Sequence, residues 1–128
     1  MLDPLGDALS KWTTAIEDEL VVRDFLANVG NRDALQLEPF LSADVVYEPN
    51  AYERVRGRHD VLRMCQSLFD GFETFTITPN HVAVSGTVVL VEQKLRIGLP
   101  GQPACELLSF ASFEIAAFQI VAWRQLHG

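Results

Sequence analysis

Phe113-Glu114-Ile115-Ala116-Ala117-Phe118-Gln119-Ile120-Val121-Ala122-Trp123-Arg124-Gln125 reads as strand, tight turn, strand. Aromatic and β-branched residues fill both arms, as a half-buried pleated surface requires. Outward from this hairpin, the second half of the chain continues in the same way. Expected strands run 73–78, 81–85, 88–98, 104–117 and 119–126. Pro79-Asn80, Ser85-Gly86 and Leu99-Pro100-Gly101 separate them as turn signals, whereas Ala117-Phe118 is no strong turn former.

The first half has a different period. Asp3-Pro4 suits the start of a short opening helix, because proline fits the first helical position. Thr14-Ala15-Ile16-Glu17 has capping-box spacing for a second start. Ile16, Leu20, Val21, Phe25 and Leu26 then recur as one apolar face, and Gly30 suits the stop. A shorter helix is expected over 32–40, then a strand Val45-Val46-Tyr47-Glu48 ended by Pro49, which lacks a ladder donor. Asn50 to Gly57 reads as a polar loop. Val61, Leu62, Cys65, Leu68 and Phe69 mark a helix over 58–69, closed by Gly71. Helices followed by adjacent strands predict an α+β fold with a mostly antiparallel sheet over residues 1–128, one domain. A sheet covered by helices on one face commonly leaves a pocket between the layers.

The 128 residues include 10 Lys plus Arg against 17 Asp plus Glu, a net charge of −7. That balance argues against a phosphate-binding surface, so no nucleic-acid partner is expected. No stretch approaches the roughly 20 apolar residues of a membrane span, and the acidic N-terminus lacks a signal peptide's basic head. Cys65 and Cys105 are too few for a disulfide framework and have no metal-ligand spacing. A cytoplasmic, reduced protein without metal or cofactor is the simplest expectation.

Strand alternation assigns the faces. Val91, Gln93, Leu95 and Ile97 share the side expected to meet the helices, opposite Glu92, Lys94 and Arg96. Gln93 is then a lone polar group in apolar company, to be read as a satisfied core amide or as a ligand contact. In the next strand Cys105, Leu107, Ser109, Ala111, Phe113 and Ile115 face inward. Leu108 and Phe110 face outward between Glu106 and Glu114, the pattern of a patch that meets another subunit. An isologous homodimer through the outer sheet face is expected.

Several short motifs carry a resemblance: Val22-Arg23-Asp24-Phe25-Leu26, Ser42-Ala43-Asp44-Val45-Val46-Tyr47, Val55-Arg56-Gly57-Arg58 and the closing Ala122-Trp123-Arg124. With them the chain resembles the cone-shaped α+β proteins related to nuclear transport factor 2, which include limonene-epoxide hydrolases, ketosteroid isomerases and SnoaL-like polyketide cyclases. The resemblance implies a cystatin-like cone, a curved sheet wrapped around about three helices, with a pocket for a small hydrophobic molecule. It also implies a dimer. Epoxide hydrolases of this type use an Asp–Arg–Asp group with a Tyr and an Asn. The tyrosine matches Tyr47; the asparagine falls on Pro49, with Asn50 one residue late. The Arg and Asp of the middle strand fall on Gln93 and Leu95, and the final Asp on Gln125. All three charged members are replaced, and epoxide opening needs both an acid and a base. In the isomerase comparison, Glu48-Pro49 matches a strand-end Asp-Pro that supplies the base, while the oxyanion donors fall on Phe25 and Ala111. A carboxylate at the mouth of an apolar pocket suits that role.

The implied pocket is lined by Phe25, Tyr47, Glu48, Leu62, Gln93, Leu95, Ala111, Phe113, Trp123 and Gln125. If it catalyses, the expected chemistry is cofactor-free proton transfer of isomerase or cyclase type. Glu48 would be the base, with Tyr47, Asn50, Gln93 or Gln125 orienting the substrate. Each residue also has a structural reading: Glu48 as an arginine-paired carboxylate, Tyr47 and Trp123 as core aromatics, Asn50 as a turn former. Two other functions stay open: a non-catalytic ligand-binding or dimerisation domain, and a divergent epoxide hydrolase with relocated acids.

Overall fold

The computed structural model describes residues 4–127. Asp3, expected to cap the first helix, lies outside the described residues. Helix α1 runs Pro4–Val29 without a break. No second start occurs at Thr14, because the hydroxyls of Thr13 and Thr14 donate to the carbonyls of Leu9 and Ser10 one turn back. That interaction occupies them within the helix instead of capping a new one. The buried face of α1 carries Asp18, Val22, Phe25, Leu26 and Val29. Ile16 and Leu20, expected on it, are instead 42% and 52% exposed, in line with Leu9 and Trp12. The helix thus has two apolar stripes on opposite sides. Helical spacing admits both, and only the position of the sheet selects one.

A 3-10 helix, Ala34–Phe40, is started by Asp33, whose carboxylate accepts from the Leu35 N–H. Strand β1 spans Leu41–Glu48, β2 is the short Val55–Arg56, and α2 covers Arg58–Asp70. Gly57 joins β2 to α2 at φ +90°, a region that disfavours any side chain, and its N–H donates to the Val45 carbonyl at 2.8 Å. Strands β3 (Thr74–Ser85), β4 (Val88–Gly98), β5 (Cys105–Ala116) and β6 (Gln119–His127) complete the sheet. β3 is one strand rather than two, because Pro79-Asn80 is absorbed as a register shift between Pro79 and His81. A bulge takes up the residue without a ladder donor.

The sheet order is β2-β1-β6-β5-β4-β3. Every neighbouring pair is antiparallel except β1 with β6. The result is an α+β fold, a curved six-stranded sheet closed over α1, α2 and the 3-10 helix. The β5–β6 turn forms at Ala117 and Phe118 with φ of 50° and 63°. Two residues in the left-handed region match the twist of a two-residue hairpin, although neither is a glycine or asparagine.

The inward face of the sheet meets α1 in an aromatic cluster. Phe25 makes edge contacts with Phe40, Phe113 and Trp123. Trp123 stacks on Tyr47 at 3.9 Å and on Phe113 at 5.9 Å. Such pairs contribute about 0.5–1.5 kcal/mol each beyond their buried area. This cluster fills the space between α1 and the β1–β6–β5 part of the sheet.

Candidate functional site

Between α2, β3, β4, β5 and the β1–β2 loop lies a recess of about 340 Å³. Its walls are Met64 and Leu68 of α2, Phe72, Phe75, Leu95, Ile97 and Leu107, with Pro49 at the rim. Four polar side chains line it: Tyr47, Asn50, Glu53 and Gln125. Tyr47 points inward from β1 because strand residues alternate, and its register partner on β6 is Trp123. Two residues on, Gln125 shares the inward side of β6, so the Tyr47 hydroxyl donates to Gln125 Oε1 at 2.7 Å. Burial first, then Cys65 and the negative charge of Glu53, raise the Tyr47 pKa above its ordinary value of 10.0. Tyr47 is therefore a neutral phenol across the physiological range, able to hydrogen-bond but not to serve as a base. The buried Cys65 thiol is pushed up to about 12 by desolvation, which keeps it a thiol and not a nucleophile.

Glu53 is brought to the rim by an Asx turn. Asn50 Oδ1 accepts from the backbone N–H groups of Tyr52 and Glu53 at 2.8 and 3.0 Å. The same residue's Nδ2 donates to Glu53 Oε1 at 3.1 Å. One short side chain thus fixes both the loop backbone and the carboxylate. Asn50, expected as a turn former or as a group orienting the substrate, lines the recess and makes the turn; Glu53 is not among the expected site residues.

The remaining candidates divide. Glu48 follows Tyr47 in β1 and so projects to the other side, where its carboxylate meets Arg54 at 3.6 Å and Arg124 at 3.5 Å. Glu48, expected as the carboxylate at the mouth, does not line the recess; the carboxylate found there is Glu53. Leu95 is a wall residue as expected, and Leu62 instead lines a separate recess of about 620 Å³ between the 3-10 helix and α2. Phe25, Phe113 and Trp123 belong to the aromatic cluster and Ala111, the register partner of Gln125, is buried; none of the four lines the 340 Å³ recess. Gln93 is fully buried and donates to Ser109 Oγ at 3.3 Å. Gln93 Oε1 and Trp123 Nε1 have no hydrogen-bond partner among the described residues. Among the described residues, no three His, Cys, Asp or Glu side chains gather as metal ligands would. No described helix is long and apolar enough to cross a membrane.

The model of the SnoaL-like domain matches residues 22–123, from the buried face of α1 to the tryptophan beneath Tyr47. The chain belongs to the SnoaL-like family. Its fold places this SnoaL-like protein in the nuclear-transport-factor-2-like superfamily, with structural neighbours of three kinds. A limonene-epoxide-hydrolase-like epoxide hydrolase of Mycobacterium tuberculosis superposes with a TM-score of 0.79 at 23% identity, over 90% of this chain and 85% of the other. SalBIII, an epoxide hydrolase/cyclase-like enzyme of pyran ring formation in the polyether salinomycin, gives 0.76 at 17%, over 87% and 90%. A hypothetical protein of ketosteroid-isomerase-like fold from Catenulispora acidiphila, in complex with trimethylamine, gives 0.76 at 16%, over 83% of each chain. At these identities the likeness is one of fold. No curated protein sequence matches the chain.

Proposed function

We propose that this SnoaL-like protein binds a small hydrophobic molecule in the recess lined by Tyr47, Gln125 and Glu53. The observation that carries the reading is convergence: apolar walls from four elements enclose the Tyr47–Gln125 pair and face the Glu53 carboxylate anchored by Asn50. About 340 Å³ lies at the lower end of ligand-pocket volumes, suited to a terpenoid or a small polyketide-type ring. Any chemistry at this site is cofactor-free proton transfer of isomerase or cyclase type, with Glu53 as the carboxylate in reach, because Tyr47 is held neutral. The non-catalytic binding reading is favoured by one fact: the inward positions Gln93, Leu95 and Gln125 are all uncharged. The two readings share the recess and part at Glu53.

The test is amide-resolved NMR titration with a neutral monocyclic ketone, followed by exchange of its α-protons in D2O. Binding should shift Tyr47, Leu95 and Gln125, and filling the recess with Leu107→Trp should abolish the shifts. Exchange lost in Glu53→Gln supports catalysis, while binding without exchange in the unaltered protein leaves the binding reading. Shifts confined to the larger recess near Leu62 would refute this site.

We also propose an isologous homodimer through the outer sheet face. Leu90, Leu108, Phe110 and Leu126 are each 45–66% exposed there. Leu126 is the register partner of Phe110 across β5–β6, which makes the apolar patch continuous. Lys94 and Arg96, both bridging to Glu106, rim it with both signs of charge, as a self-complementary face requires.

A further inference from the structure

Resting on the binding reading above, we infer that the ligand is a small lipophilic amine, bound as its ammonium ion. Of the residues lining the recess, Glu53 is the single one with a formal charge. Its carboxylate is held by Asn50 and is not part of any ion pair among the described residues. The adjacent arginines are directed elsewhere. Arg54, next in sequence to Glu53, and Arg124 both reach Glu48 on the far side of β1.

Part of the rest of the lining has the same preference. Tyr47 gives its hydroxyl proton to Gln125, so its oxygen meets a ligand with lone pairs. Phe72 and Phe75, 5.7 Å apart and tilted by 53°, add aromatic rings to the lining. Aromatic faces attract a cation by their quadrupole, and a carboxylate adds a charge-assisted hydrogen bond to an N–H donor. The net charge of −7 further raises the local concentration of cations. A ligand carboxylate or phosphate would find no cation in the lining and would face Glu53. A neutral ligand would gain the apolar contacts and neutral hydrogen bonds, without the charge pair to Glu53.

The test uses one skeleton with three head groups: cyclohexylmethylamine, cyclohexylmethanol and cyclohexanecarboxylate. Dissociation constants are read at neutral pH from Trp123 fluorescence, with exposed Trp12 replaced by Phe to remove its signal. The amine should bind about ten-fold tighter than the alcohol, an ion pair at a partly open rim plus an aromatic contact. Its advantage should shrink with added salt, and the carboxylate should bind weakest. Glu53→Gln should bring the amine down to about the affinity of the alcohol measured in the same variant. Carboxylate binding as tight as that of the amine, equal affinity of amine and alcohol, or an amine preference that survives Glu53→Gln would overturn the inference and leave the pocket standing. If no member of the series binds, the pocket reading fails with it.

Discussion

Replacing Tyr47 by Phe tests whether the hydrogen bond to Gln125 is the polar pin between β1 and β6. The substitution keeps the ring, and with it the 3.9 Å stack on Trp123, and removes one hydroxyl that donates at 2.7 Å. A net intramolecular hydrogen bond is worth about 1 kcal/mol, and the Gln125 carbonyl left behind still faces a recess that water can enter. The expected loss is therefore about 1–1.5 kcal/mol rather than the full cost of a buried orphan. At about 2.1 cal/mol/K of unfolding entropy per residue, this corresponds to a fall in Tm of about 4–6 °C for a domain of this size. Gln125→Leu should cost a similar amount alone. Tyr47→Phe with Gln125→Leu should cost less than the sum, because both partners leave together, giving a coupling near 1 kcal/mol in urea denaturation. The alkaline limb supplies an independent sign. The folded-state pKa of Tyr47 lies above the ordinary 10.0, so its stabilising contribution is complete below pH 10 and is lost as pH rises beyond it. The wild-type advantage over Tyr47→Phe should then narrow above pH 10. A coupling below about 0.3 kcal/mol, or an advantage that widens in alkali, would refute the pin.

Further expectations concern other parts of the fold. Asp18 is buried, and burial followed by the charge of Glu17 raises its pKa above 3.8. A raised carboxyl favours folding at low pH and opposes it once pH passes the folded value, so Asp18→Asn should raise Tm at pH 7, with the gain vanishing toward pH 3. Replacing Ala117-Phe118 by Asn-Gly should stabilise by about 1–2 kcal/mol in denaturant titration, because both positions have positive φ and Phe118 is 63% exposed; a loss of stability would show that the Phe118 ring packs. Phe110→Glu should weaken the proposed dimer at least about 30-fold in sedimentation, as expected of an aromatic at the centre of an interface, and an unchanged mass would remove that face from consideration.

The α+β class and the identity of most elements were legible because two signals are local: period-2 alternation in β4 and β5, and glycine at the ends of helices. The inward placement of Gln93 and Leu95 followed from that alternation alone. What was not legible depended on partners. The choice between the two stripes of α1 depends on where the sheet lies, so Ile16 and Leu20 were assigned to the wrong side. The single β3 strand depends on β4 holding its register across Pro79-Asn80, a dipeptide whose local preference is to turn. The start of β1 at Leu41 depends on pairing with Ile120 of β6, some eighty residues away. Membership of the recess was hardest to read, because Phe25, Phe113 and Trp123 face inward as expected but are taken up by the aromatic cluster, while Ala111, the register partner of Gln125, is buried without reaching the recess.

The two glutamates near Tyr47 show how a fold can keep a carboxylate at a site while changing its address. Counting back from Gly57 brings Glu48 to the position of a catalytic base, yet counting cannot assign a face. Tyr47 is committed to the interior by its stack on Trp123 and its bond to Gln125, and the pleat then sends Glu48 outward. Only leaving the strand can return an acid to the inner side. Pro49 ends the ladder and Asn50 turns the chain, so that Glu53 comes back over the recess held by the same asparagine that made the turn. A carboxylate carried on a loop can move with that loop, whereas one on a strand cannot. Asn50→Ala should therefore weaken ligand binding through Glu53 while leaving the Tyr47–Gln125 pair in place. In NMR the Glu53 amide should shift and the Gln125 side-chain amide should not. Equal perturbation of both would mean that loop and strand form one rigid site, and that Asn50 supports the whole mouth rather than one acid.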